Sequence, residues 1–174
     1  IKNMSRYTGP KRRLSRREGV ALFPKDIKSL ERKGAIPPGQ RGSRVRTRRL
    51  SEFGTQLREK QKAKRLFGIS EKQFRKIFGE AAKSKQATGL KLLELLEIRL
   101  DNIIYRLGFA KSRPEARQMV SHGHVGVDGK KVSIPSYKVK INSTVAILPK
   151  FVDNTQVKKN LEESSDLPAW LERK

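Results

Sequence analysis

Four arginines in the middle of the chain have the types and spacing of a binding surface. Arg99 and Arg106 stand seven apart in a segment of helical period, and Arg113 and Arg117 stand four apart in the next one. Each pair should therefore share a helix face. A guanidinium is a planar fork that donates two hydrogen bonds to one phosphate, and a helix opening at Ser112 adds backbone N–H groups at its positive end. The chemistry on offer is a groove for RNA backbone, in which no bond is broken. The same arginines could equally be solvated charges, or partners of Glu97, Asp101 and Glu115 along their own helices.

Other residues with chemical potential lead elsewhere. His122 and His124 flank Gly123; no third histidine and no cysteine exists to complete a metal site, so they read as structural or RNA-contacting. Glu97 and Asp101, four apart on a cationic helix, read as orienting arginines rather than as an acid–base pair. Tyr7, Tyr105 and Phe109 could stack on bases, although the last two border an apolar stripe and fit a core as well. No P-loop, dinucleotide fingerprint or nucleophile elbow is present. We therefore expect no catalytic site, no metal and no cofactor.

Charge across the whole chain favours the binding reading. In 174 residues, 41 Lys and Arg face 17 Asp and Glu, a formal charge of +24. Such self-repulsion opposes a compact state unless a polyanion neutralises it, and each cation set beside a phosphate releases condensed counterions. The charge is uneven: residues 1–90 hold 26 Lys and Arg against 7 Asp and Glu, a net +19 that leaves +5 for the remainder. No run approaches the roughly 18 apolar residues of a spanning helix, and the start lacks the apolar stretch of a secretory signal. We expect no membrane partner. The absence of cysteine agrees with a reducing compartment, and Ile1 is not an initiator residue.

The elements that must position these residues are helices first and a small sheet after them, an α+β fold. Residues 1–50, rich in Gly, Pro and basic side chains, read as an extended basic arm ordered by a partner, with a fixed turn at Ile36-Pro37-Pro38-Gly39-Gln40-Arg41-Gly42. Residues 51–92 read as a helical region. There Phe53, Leu57, Leu66 and Phe67 form a ragged apolar stripe, and Ser70-Glu71-Lys72-Gln73 is a capping box ahead of Phe74, Ile77 and Phe78. Residues 93–148 read as a helix–helix–sheet module. Leu93, Leu96, Leu100, Ile103 and Leu107 predict one long helix ended by Gly108, and Ser112-Arg113-Pro114-Glu115 predicts a capping box for a short helix through Ala116, Met119 and Val120 to Gly123. The period then drops to two. Val125 and Val127 lead into Asp128-Gly129, a two-residue hairpin signal, with Val132, Ile134, Val139, Ile141, Val145 and Ile147 as further short strands. Residues 149–174 read as a C-terminal extension that becomes acidic and irregular from Asp153, with Trp170 as its anchor.

At this point the residues resemble a known family. Leu96-Glu97-Ile98-Arg99-Leu100-Asp101-Asn102-Ile103-Ile104-Tyr105-Arg106-Leu107-Gly108-Phe109-Ala110, then Ser112-Arg113, Ala116-Arg117-Gln118 and Val120-Ser121-His122-Gly123-His124-Val125, closely resemble the RNA-binding module named after small-subunit ribosomal protein four. Upstream, Pro37-Pro38-Gly39-Gln40, Ser51-Glu52-Phe53-Gly54, Gln56-Leu57-Arg58-Glu59-Lys60-Gln61-Lys62 and Glu71-Lys72-Gln73-Phe74 resemble the N-terminal region of that ribosomal family, which selects it among carriers of the module. The resemblance spans roughly residues 5–148.

It implies direct binding to small-subunit ribosomal RNA near a junction of several helices, early in assembly, in the ribosome of a bacterium or of an organelle. It also implies neighbours: small-subunit protein five, and messenger RNA on its path into the subunit, with an influence on decoding accuracy. Two departures stand out. Many relatives carry a cysteine zinc knuckle near the start, where this chain has Arg12 and Ser15, so no metal is carried over. The family's usual segment after Leu167 to Leu171 does not follow here, and an accuracy effect that depends on it is not carried over either.

The RNA-binding residues expected from the charge pattern and the resemblance together fall in three groups. In the arm they are Arg6, Lys11, Arg12, Arg13, Arg16 and Arg17, then Gln40, Arg41, Arg44, Arg48 and Arg49. The helical region supplies Arg58, Lys60, Lys62, Lys64 and Arg65. From the module come Arg99, Arg106, Lys111, Ser112, Arg113, Arg117, Gln118, His122, His124 and Lys130. Two other classes remain as alternatives: an RNA-modifying enzyme that borrows the module, for which residues 1–90 are too basic and too short of apolar side chains to form a catalytic domain, and a DNA-binding protein, which phosphate attraction alone does not distinguish.

Overall fold

The computed structural model describes residues 7–33, 36–39, 50–152, 154–163 and 167–173. Arg6, Gln40, Arg41, Arg44, Arg48 and Arg49 lie outside the described residues. The fold is α+β and divides into two compact units, residues 1–74 and 75–174.

The first unit departs from the expected extended arm. Helix α1 runs Lys11–Glu18, a 3-10 turn Pro24–Asp26 leads into α2 at Ile27–Lys33, and α3 runs Glu52–Leu66. Polar burial supplies the order that sparse apolar side chains do not. Ser15, fully buried, donates to Asp26 Oδ2 at 2.5 Å and accepts from the Leu22 N–H at 3.3 Å. Arg16 donates to the carbonyls of Ile36 and Pro37, which ties the proline turn to α1. Helix α3 is capped by Ser51, whose Oγ accepts from the Gly54 N–H, and it buries none of its own residues. Phe53 is exposed, while Phe67, just past the helix, is buried. Gly68 at φ 63° lets the chain turn there. The Ile69 N–H then reaches the Lys64 carbonyl and the Gly68 N–H that of Arg65, so the orphaned carbonyls of the last turn are satisfied.

Helix α4, Glu71–Ala82, spans the division between the units and starts as expected, with Ser70 Oγ accepting from the Gln73 N–H. Phe74, Ile77 and Ala81 are its buried face. The predicted long helix is in fact two, α5 at Thr88–Glu97 and α6 at Leu100–Arg106. Arg99, at the break, is extended with φ −68° and ψ 137° and pairs as an isolated bridge with Lys138. The backbone of the break bonds outward: Leu100 N–H to Tyr137 O, Asp101 N–H to Pro135 O, and Val139 N–H to Ile98 O. Tertiary hydrogen bonds from the 135–139 segment override the helical period here.

Helix α7, Arg113–Ser121, packs on α6 and ends in a glycine cap at Gly123, φ 73°, with His124 N–H on Met119 O and Gly123 N–H on Val120 O. Its expected N-terminal box does not form: the Ser112 side chain makes no cap, and Glu115 Oε2 accepts from the Lys111 N–H, one residue ahead of the cap, at 2.9 Å. Strand β1 is Val125–Val127, β2 Lys130–Lys131 and β3 Val145–Ile147, in the antiparallel order β2-β1-β3 with Val127 opposite Lys130 and Val125 opposite Ile147. Asp128 and Gly129, both at positive φ, form the expected hairpin turn. Ile134 and Ile141 are exposed and lie in no strand.

The core of this second unit gathers Leu100 and Ile104 from α6, Ala116, Met119 and Val120 from α7, and Val125 and Val127 from β1. Burying each of the larger side chains is worth about 1.5–3 kcal/mol. The C-terminal stretch corrects a further expectation. After a short α8, Pro149–Val152, it forms α9, Thr155–Glu163, which adds Val157 to the core and sends Asn160 Nδ2 to the Phe109 carbonyl. Trp170, expected as the anchor, is 53% exposed.

Candidate nucleic-acid interface

In the second unit the candidate surface is built on the turn from α5 into α6 and on the first turns of α7. Glu97, the last residue of α5, accepts two hydrogen bonds from Arg106, Nε at 3.0 Å and Nη2 at 2.6 Å. Asn102, 2% exposed, links the helices: Nδ2 donates to Glu97 Oε2 at 2.5 Å, and Oδ1 accepts from Arg113 Nε at 2.8 Å. The Arg113 guanidinium lies 4.6 Å over the ring of Tyr105. Asp101 takes Arg99 bidentately, at 3.1 and 2.9 Å, with Arg117 Nη1 3.8 Å from the same carboxylate.

Burial pushes the Glu97 carboxyl up, but the hydrogen bonds from Arg106 and Asn102 outweigh it and leave the group below its ordinary value. Arg106 is raised in return, chiefly by its bond to Glu97. Burial holds Arg113 below the usual guanidinium value. The result is a set of three oriented cations, Arg106, Arg113 and Arg117, joined through Glu97, Asn102 and Asp101.

Arg99 is not one of them. It is 4% exposed, it stands outside any helix, and the face it was expected to share with Arg106 does not exist. Its guanidinium is a strut for Asp101 instead. Arg99 and Arg106 do pair with two of the acids the sequence offered, Asp101 and Glu97, but at and across the break between α5 and α6 rather than along one helix. Lys111, Gln118, His122 and Lys130 are exposed, and Ser112 and His124 are half-buried. His124 stacks on Phe151 at 4.0 Å between centroids, which gives it a packing role.

The first unit gathers a second set. Glu18, whose side chain is fully buried, is bound by both Arg58 and Arg65. Glu71 is bound by both Lys60 and Lys64, and Lys62 pairs with Glu59 at 2.6 Å. Lys11 sits 5.4 Å over the Phe23 ring, and Arg12, Arg13 and Arg17 are exposed. An open cleft of about 420 Å³ lies among Arg13, Arg17, Arg58 and Arg65, with Tyr7 and Gln61 also on its wall. Where relatives of the resembled family carry zinc-binding cysteines, Arg12 offers a cation and Ser15 a hydroxyl already bonded to Asp26, a pair that does not fit the metal. Among the described residues, no group of three or more His, Asp or Glu could hold an ion. Nor is any helix among them long and apolar enough to cross a membrane.

Sequence reasoning missed Glu18, Asn102 and Tyr105 as organisers of the arginines. An acid inside the most cationic stretch was a signal for Glu18; Asn102 had none, because its link to Glu97 crosses the unforeseen helix break.

The chain matches the model of the ribosomal protein S4/S9 N-terminal domain over residues 6–97 and that of the S4 domain over residues 98–145, the two meeting at the break before α6. It is 49% identical over 173 residues to the small ribosomal subunit protein uS4 of Chloroflexus aurantiacus, covering 97% of this chain and 83% of that protein. The proteins of the same name from Thermoanaerobacter pseudethanolicus and Dictyoglomus turgidum are each 49% identical, over 175 and 174 residues, with 97% of this chain and 84% of theirs covered. A basic two-unit fold, arginines oriented at its helix junction and a match over nearly the whole chain agree: the protein belongs to the uS4 family of small ribosomal subunit proteins and is not an enzyme.

Proposed function

We propose that the protein binds small-subunit ribosomal RNA directly, as a structural constituent of the subunit. The observation that carries this is the cluster of Arg106, Arg113 and Arg117, fixed from beneath by Glu97, Asn102 and Asp101 on a chain of net charge +24. Cations held in place in advance lose less side-chain entropy when a phosphate arrives. Recognition is by shape and backbone, with the folded module fixing orientation and the cations of residues 1–92 adding salt-dependent affinity. The contact set we propose is the one read from the sequence, without Arg99. Residues 1–50, 51–92, 93–148 and 149–174 serve in this reading as arm, helical RNA-binding region, RNA-binding module and extension.

Family membership supports the finer roles. In this reading the protein nucleates subunit assembly, lies beside protein five and beside the messenger's path into the subunit, and contributes to accuracy. Its place is the ribosome of a bacterium or an organelle, and the relatives named above are bacterial. The test is a binding series on structured small-subunit RNA between about 50 and 200 mM salt, a roughly fourfold range over which phosphate contacts lose affinity steeply. Cosedimentation with small subunits and crosslinking to their RNA should accompany it. Displacement by duplex DNA at equal nucleotide concentration would overturn the proposal.

A further inference from the structure

We propose that the cleft of residues 1–74 holds one unpaired nucleotide of the bound RNA, its base stacked on Tyr7 and its flanking phosphates among Arg13, Arg17, Arg58 and Arg65. This rests on the reading that the protein binds RNA and adds what one part of it recognises.

The charge of the cleft is the first argument. Four guanidinium groups line it, and the acid that organises it, Glu18, is buried and holds two of them, Arg58 and Arg65. Among the described residues Arg13 and Arg17 are exposed and form no ion pair. The cleft therefore keeps a cationic excess that a single anionic group would not exhaust. Its volume of about 420 Å³ lies within the roughly 300–1,000 Å³ of small-ligand clefts, space enough for a mononucleotide.

Tyr7 is the second. Its ring lies so close over Gly9 that a Cβ there would stand 2.7 Å from Oη and 2.8 Å from Cζ. Its hydroxyl donates to the Pro10 carbonyl at 3.3 Å, and the residue remains 52% exposed. The ring is thus held from one side and open on another, at the mouth of an arginine cluster. An aromatic face beside fixed cations suits a base with its phosphates, and only an unpaired base presents a free π-face. Gln61, on the same wall, carries a donor and an acceptor for a base edge.

The experiment uses the full chain, an eight-nucleotide oligouridylate and a fully paired RNA duplex, with affinities read by fluorescence anisotropy. Tyr7→Leu should weaken the single strand about 5- to 150-fold, the worth of one base–aromatic stack, and leave the duplex within about twofold. Tyr7→Phe should restore single-strand affinity, and Gly9→Ala, which removes no charge, should weaken it by displacing the ring. Arg13→Gln with Arg17→Gln should lower the single-strand salt slope by about 1.4. Unchanged single-strand affinity in Tyr7→Leu, equal losses on both RNAs, or a Tyr7→Phe loss as large as that of Tyr7→Leu would each overturn the proposal. If the wild type still binds structured ribosomal RNA with a salt slope in those cases, the cleft reading falls and the RNA-binding reading stands.

Discussion

Asp101→Asn removes the carboxylate that two arginines share. Its bidentate partner Arg99 is 4% exposed, so the substitution leaves a buried guanidinium without a counter-charge. Breaking a buried pair from one side costs about 3–5 kcal/mol, against about 5–15 kcal/mol for the stability of a whole domain. At a urea slope of about 2 kcal/mol per molar, the unfolding midpoint should fall by about 2 M. Arg99→Met should cost less, because Arg117 still stands 3.8 Å from the carboxylate. The double substitution should be less destabilised than Asp101→Asn alone, since no unpaired buried cation remains. The assay is urea unfolding followed by circular dichroism, with RNA binding of each variant measured where it is folded. Arg99→Met should keep the wild-type salt slope, as a strut makes no phosphate contact. A midpoint unmoved in Asp101→Asn, or a slope reduced by about 0.9 in Arg99→Met, would refute the separation of Arg99 from the binding cations.

Three further outcomes are expected. Arg113→Gln with Arg117→Gln should lower the salt slope on helical ribosomal RNA by about 1.8, two phosphate contacts' worth; a parallel displacement of the binding curve at all salt concentrations would show that neither touches phosphate. Glu97 sits below its ordinary value of 4.5 in the folded chain, so its stabilising share is complete above about 4.5 and is lost as pH falls through the folded value. The gap in stability between wild type and Glu97→Gln should therefore be constant from neutral pH to about 4.5 and shrink below it, as acid titrations of both would show. Gly123→Ala must hold φ near 73° and meet the Lys131 side chain; a loss of about 1–2 kcal/mol in urea unfolding is expected for the backbone alone.

Local signals in the sequence were read well where one element settles its own conformation. The Asp128-Gly129 turn, the Ser70 cap and the glycine stops at 108 and 123 each depend on a few neighbouring residues, and each is where spacing put it. The two largest failures share one cause, a contact from outside the element that changes the local answer. The stripe from Leu93 to Leu107 has helical period on both sides of Arg99, and only the bonds from residues 135–139 break it. Composition made residues 1–50 look unable to fold, because Ser15 with Asp26 and Glu18 with two distant arginines are buried polar contacts that apolar counting ignores. The arginines of the candidate surface were legible by type, and their division into strut and surface was not, since burial decides it.

That division follows a pattern that bears on how so cationic a chain stays folded. Glu18 serves Arg58 and Arg65, seven apart on α3, and Asp101 serves Arg99 and Arg117. Two guanidinium groups about 6 Å apart repel by about 3 kcal/mol at an effective dielectric constant of about 20, whereas a carboxylate about 3 Å from each attracts each by about 5 kcal/mol. One acid therefore reverses the sign of the cluster's energy and still leaves it a net positive charge. Glu18 does so at a cost, for its side chain is fully buried and, among the described residues, Oε2 has no hydrogen-bond partner. Glu18→Gln should accordingly destabilise the free protein by returning the arginine repulsion. RNA should restore much of the loss, because a phosphate among Arg58 and Arg65 supplies the negative charge the glutamate gave up. Thermal unfolding of wild type and variant, each alone and saturated with ribosomal RNA, measures this: the stability gap should narrow on binding, and a gap of equal size in both states would mean that the buried acid supports the fold without presetting the cations for their ligand.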